Sequence, residues 1–62
     1  MLSLSMPIEL IVSILNTYLR DKYKSLSDLC EYEELDIDEL NNKLHENNYE
    51  YLEDINQIKY KN

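Results

Sequence analysis

The chain has 62 residues, enough for one domain, and a chain this short buries only roughly 60% of the surface that its unfolded form exposes. It contains no glycine, one cysteine (Cys30) and one histidine (His45), which rules out phosphate-cradling and dinucleotide loops, an EF-hand, an intramolecular disulfide and a structural zinc site. The formal net charge is −7, carried almost entirely by residues 28–54, where eleven acidic side chains face one lysine.

The first helix is expected over 7–23. Pro7 suits the first helical position, where a missing N–H costs nothing, and Ser5 or Met6 would precede it as cap. At 100° per residue, Ile8, Ile11, Val12, Ile14, Leu15, Tyr18, Leu19 and Tyr23 fall on one arc of about 220°, with Leu10 at its margin. A surface helix ordinarily shows a stripe of about 100°. Two arrangements would cover the excess: a second copy of the chain, or the remaining helices and the C-terminal segment wrapped around a central helix. Glu9, Ser13, Asn16, Thr17 and Arg20 make the narrow polar side.

A second helix is expected over 26–34. Ser25 is its cap, Asp28 stands at the third helical position, and Leu26, Leu29 and Cys30 repeat at i, i+3, i+4. The lone Cys30 reads as a small buried apolar residue. The third helix, expected over 37–47, has the plainest start: Asp36 caps it, Glu39 completes a capping-box-like pair, and Leu35 and Leu40 take the positions of a hydrophobic staple. Leu40 and Leu44 point inward with Ile37. Asn47-Asn48 supplies the stop that glycine gives elsewhere.

Residues 49–60 read as a short hairpin, because Tyr49-Glu50-Tyr51 and Ile58-Lys59-Tyr60 alternate around Glu53-Asp54. A fourth short helix is the alternative, since Leu52, Ile55 and Ile58 recur every three residues. The fold class is thus mainly α: one three-helix, helix-turn-helix-like domain over 1–62 with a C-terminal β-hairpin.

Several of these residues together resemble a small bacterial family catalogued as domain of unknown function forty-two-fifty. They are Pro7, the run Asn16-Thr17-x-Leu19-Arg20-Asp21-x-Tyr23, Ser25-Leu26-x-x-Leu29-Cys30, Leu35-Asp36-Ile37-Asp38, Tyr49-x-Tyr51 and Asn56-Gln57. The segment from Asn16 to Asp21 is the most specific part. The resemblance implies a fold and brings no activity, cofactor or partner.

The functional expectation is a non-catalytic protein-interaction module that self-associates or docks on a protein partner. Ile14 and Tyr18 are the candidate contact residues on helix one. Asn16, Thr17 and Arg20 form a polar strip that either binds a partner or serves as helix end and surface ion pairs. No cofactor or metal is expected, and His45 has no nucleophile placed beside it, so an enzyme is not expected. The alternative is a helix-turn-helix DNA-binding regulator. Charge argues against nucleic acid: the candidate recognition helix offers Lys43 outward against Asp38, Glu39 and Glu46, and phosphate binding rests on Lys and Arg. The start of the chain lacks a basic region ahead of an uninterrupted apolar run, so neither a signal peptide nor a membrane span is expected, and a single cysteine suits the cytoplasm.

Overall fold

The computed structural model describes residues 2–61, in the order α1 (Ile8–Asp21), α2 (Leu26–Tyr32), α3 (Ile37–Glu46), β1 (Tyr49–Leu52) and β2 (Gln57–Tyr60). The two strands pair antiparallel with Tyr49 opposite Tyr60, Glu50 opposite Lys59, Tyr51 opposite Ile58 and Leu52 opposite Gln57. The hairpin expected over 49–60 is therefore the structure of this segment. The spacing of Leu52, Ile55 and Ile58 does not make a helix: Ile58 is buried while Ile55 sits exposed in the turn.

Local chemistry explains each boundary. Pro7 stands one position earlier than expected. Its ψ of 142° is extended, and its carbonyl accepts from the N–H groups of Leu10 and Ile11, so it is the cap rather than the first helical residue. Ser5 and Met6 do not cap. A turn closed by Met6 N–H on the Ser3 carbonyl engages them instead, with the Ser5 hydroxyl on Ser3 and the Met6 sulfur accepting from Ser3 N–H. Helix α1 stops at Asp21, two residues short of the expected end, as Lys22 and Tyr23 both donate to the Tyr18 carbonyl.

Ser25 caps α2 by accepting from Asp28 N–H. That helix ends at Tyr32, because Glu34 turns to φ 58° and lets Leu35 N–H reach back to the Cys30 carbonyl. This six-to-one closure normally recruits glycine. In a chain without glycine, a glutamate holds the left-handed position. Asp36 Oδ1 caps α3 twice, accepting from Asp38 and Glu39 N–H at 2.9 and 3.2 Å. Asn48, at φ 62°, supplies the expected stop, and Asn56, at φ 53°, shapes the last residue of the hairpin turn.

The core lies where α1, α2, α3 and the inner face of the hairpin meet. Ile11, Leu15, Leu19, Leu26, Leu29, Cys30, Leu40 and Leu44, all expected inside, are buried. Val12, Ile58 and Leu2 join them. Burial pushes the Cys30 thiol above its ordinary pKa, with the nearby Asp36 carboxylate adding to the effect, so Cys30 packs as a protonated apolar group. No helix among the described residues is long and apolar enough to cross a membrane.

Candidate functional site

The wide apolar arc of α1 is covered in three pieces. Its inward part packs on α2 and α3, and one flank packs on the hairpin. The N-terminal segment then folds back so that Leu2 is buried, with Leu4 and Met6 packed against the same core. Sequence reasoning missed this strap. Its signal was the set of apolar residues Leu2, Leu4 and Met6 ahead of Pro7, which the turn closed by Met6 N–H on the Ser3 carbonyl folds against the core.

What stays open is the outer edge of α1. Leu10 is 47% exposed, and Ile14 and Tyr18, one helical turn apart, are half-buried. Beside them lies a shallow hollow of about 270 Å³ lined by Leu2, Ser13, Ile14, Thr17 and Tyr18. The apolar surface continues past the helix end. Tyr23 meets Tyr18 edge-on at 6.0 Å and stacks on Tyr32 at 5.9 Å, and Tyr32 is 75% exposed. Lys22 Nζ lies 4.9 Å from the Tyr18 ring and 5.4 Å from the Tyr23 ring, adding cation–π contacts at the rim. The Tyr23 hydroxyl donates to Glu33 Oε2 at 2.5 Å. That bond, reinforced by burial and the carboxylate's charge, pushes the phenol pKa up to about 12.

The polar strip of the same helix divides. Asn16 turns toward the hairpin: its Nδ2 donates to the Ile58 carbonyl at 3.0 Å, and its Oδ1 accepts from Ile58 N–H at 2.7 Å. One side-chain amide thus pairs with both backbone groups of a single residue, as a neighbouring strand would. Gln57 Nε2 adds a bond to the Asn16 carbonyl. Thr17 is exposed and donates to the Ser13 carbonyl of its own helix. Arg20 is exposed and forms a two-pronged pair with Asp21, at 2.9 and 2.8 Å. The pairing raises the guanidinium pKa and lowers that of the carboxyl, chiefly through the hydrogen bond. The structure therefore brings Ile14, Thr17 and Tyr18 to one hollow, sets Arg20 apart on an ion pair, and engages Asn16 in the fold.

A second amide completes the latch. Asn56 Nδ2 donates to the carbonyls of Leu19 and Tyr23, at 2.9 and 3.0 Å. Carbonyls at a helix end lack intrahelical partners, and here the hairpin turn supplies a donor to them. Tyr51 joins the network, donating to Asn56 Oδ1 at 2.6 Å and accepting from Leu26 N–H. Asn16, Tyr51, Asn56 and Gln57, which stand far apart in the chain, are one hydrogen-bonded group.

The basic residues do not form one field. Arg20 in the last turn of α1 and Lys22 and Lys24 just after it lie beside the hairpin turn at Asn56, while Lys61 lies at the other end of β2, donating from its N–H to Asn48. The four residues of β2 separate Asn56 from Lys61, five steps of strand or about 16 Å. Lys59 stands across from Glu50. Among the described residues no group of three metal-ligating side chains converges.

A family model described as "Domain of unknown function (DUF4250)" matches residues 5–58. No curated protein and no solved structure gives a match.

Proposed function

The chain belongs to the DUF4250 family, and we propose that it is a non-catalytic, cytoplasmic protein-interaction module that pairs with a second copy through the outer edge of α1. One observation carries this reading: after the fold has closed, the Leu10–Ile14–Tyr18 stripe is still open, and it lies on the part of the chain that the acidic half does not occupy. Two chains of net charge −7 repel wherever their acidic segments approach. Contact along α1 keeps those segments apart and removes apolar surface from water. An antiparallel pairing about Ile14 would set Leu10 of each copy against Tyr18 of the other. Such a self-complementary patch is what a two-fold interface requires. Tyr18 and Tyr23, rigid and amphipathic, suit the centre of an interface.

The test is molar mass in solution over a concentration series, by light scattering or sedimentation, for the parent and for Ile14→Glu. The parent is expected to shift from one to two chains as concentration rises. Ile14→Glu is expected to remain a single folded chain with parental circular dichroism. A parent that stays monomeric at millimolar concentration would sink the proposal.

A further inference from the structure

The two edges of the hairpin are unlike. Asn16 bonds both the N–H and the carbonyl of Ile58, so those groups point away from β1. Tyr51, opposite Ile58, is then also an outward position, and so is Tyr49, two residues earlier. Lys61 N–H on the Asn48 carbonyl fits the same alternation. On β2 the outward groups of Ile58 are held by Asn16. On β1 the outward N–H and carbonyl groups of Tyr49 and Tyr51 have no partner among the described residues. Unpaired backbone groups stay in contact with water or with a partner, which makes β1 a free strand edge.

Two further features give that edge a direction. A hollow of about 320 Å³ opens beside it, lined by Leu26 and Ser27 of α2, Ile37 and Asn41 of α3, and Tyr51 and Glu53. Its walls offer aliphatic surface with a few polar groups, a fit for one apolar side chain. The charge at this end of the hairpin is acidic: Glu50 on β1 is paired across the ladder with Lys59, while Glu53 and Asp54 follow in the turn, beside the hollow and with no basic residue in that turn.

The geometry points to β1 as a docking edge for an extended segment of another protein, one that alternates basic and apolar residues, adds a third strand, and seats an apolar side chain in the hollow beside Ile37 and Asn41. A strand added in this way gains main-chain hydrogen bonds from the edge and selectivity from alternate side chains. Glu50 also disfavours a second copy at this place. Antiparallel self-pairing centred on Glu50 would set two glutamates directly opposite each other, which is destabilising. The edge is thus separate from the α1 surface, and each can fail without the other.

Titration of the parent protein with a capped heptapeptide alternating valine and lysine, followed by fluorescence anisotropy and by amide NMR, tests the inference. Saturable binding is expected, with the largest amide shifts at Tyr49 and Tyr51. The corresponding valine–glutamate peptide should not bind. Two N-methylated forms of the valine–lysine peptide, blocked at odd or at even positions, should differ: one keeps its affinity and the other loses it, since only one set of N–H groups faces β1. Glu50→Gln with Glu53→Gln should weaken binding several-fold at low salt, an effect that fades as salt rises. No binding at millimolar peptide, equal behaviour of the two methylated forms, or shifts confined to α1 would each overturn the proposal.

Discussion

Asn16 and Thr17 are adjacent polar residues on one helix, and their consequences for stability should differ sharply. Removing the Asn16 amide strands the Ile58 N–H and carbonyl at a part-buried contact. Asn16→Ala is expected to cost about 1–3 kcal/mol, the penalty for leaving such groups unpaired. Thr17 bonds only to its own helix on an exposed face, so Thr17→Ala should stay within about 0.5 kcal/mol of the parent. Urea titration of the two variants side by side checks both values. Tyr23 gives a pH signature. Its folded pKa of about 12 lies above the ordinary value of 10 because the neutral phenol donates to Glu33. Its contribution to stability is therefore complete below pH 10 and is lost as pH rises through about 12. The stability difference between the parent and Tyr23→Phe should shrink over that window. A constant difference from neutral pH to pH 12 would show that the bond to Glu33 does not form in solution.

At the scale of elements, the helix starts were legible and the helix ends less so. Ser25 and Asp36 cap because a short oxygen-bearing side chain beside the first turn reaches its free N–H groups, an effect confined to four residues. The ends depended on which non-glycine residue would accept a left-handed conformation, and Glu34 carries no local sign of it. A Cβ at that position costs roughly 1–2 kcal/mol. Glu34→Gly should relieve part of this and raise the melting temperature by a few degrees, on the scale of about 4–8 °C per kcal/mol for a domain of this size. An unchanged or lowered melting temperature would show that Glu34 carries another contact of equal weight. In the core, Leu44 is 1% exposed. Leu44→Ala should destabilise by about 2–5 kcal/mol, most or all of what holds a small domain together. A variant melting within a degree of the parent would remove Leu44 from the core.

For the molecule as a whole, charge decides which partners it can meet. Duplex DNA is bound largely through counterion release by Lys and Arg. This chain carries net −7, and its basic residues are scattered: Arg20, Lys22 and Lys24 near the hairpin turn, Lys59 and Lys61 toward the other end of β2, and Lys43 on α3. The expected outcome of an anisotropy titration with mixed-sequence duplex in ~150 mM salt is no saturable binding at micromolar protein. Saturation under those conditions would restore the helix-turn-helix regulator as the better reading. The basic peptide proposed at β1 and the second copy proposed at α1 are both readings that this charge distribution favours over nucleic acid.

The amino-acid sequence by itself determined the three helices, eight of the buried side chains and the acidic character of the second half, and it favoured the hairpin over a fourth helix. Caps, periodicity and alternation act between residues a few positions apart, so a linear reading captures them. Only the tertiary structure decided what Asn16 does. Its amide meets a peptide group 42 positions away, and nothing near Asn16 in the chain distinguishes a side chain that latches the fold from one offered to a partner. The same holds for Leu2, whose burial depends on how much of the α1 arc the hairpin leaves uncovered. It holds also for the edges of the hairpin, of which Asn16 occupies the one on β2. These are relations between distant segments, fixed when the chain closes around α1 and every backbone group must find a partner or water.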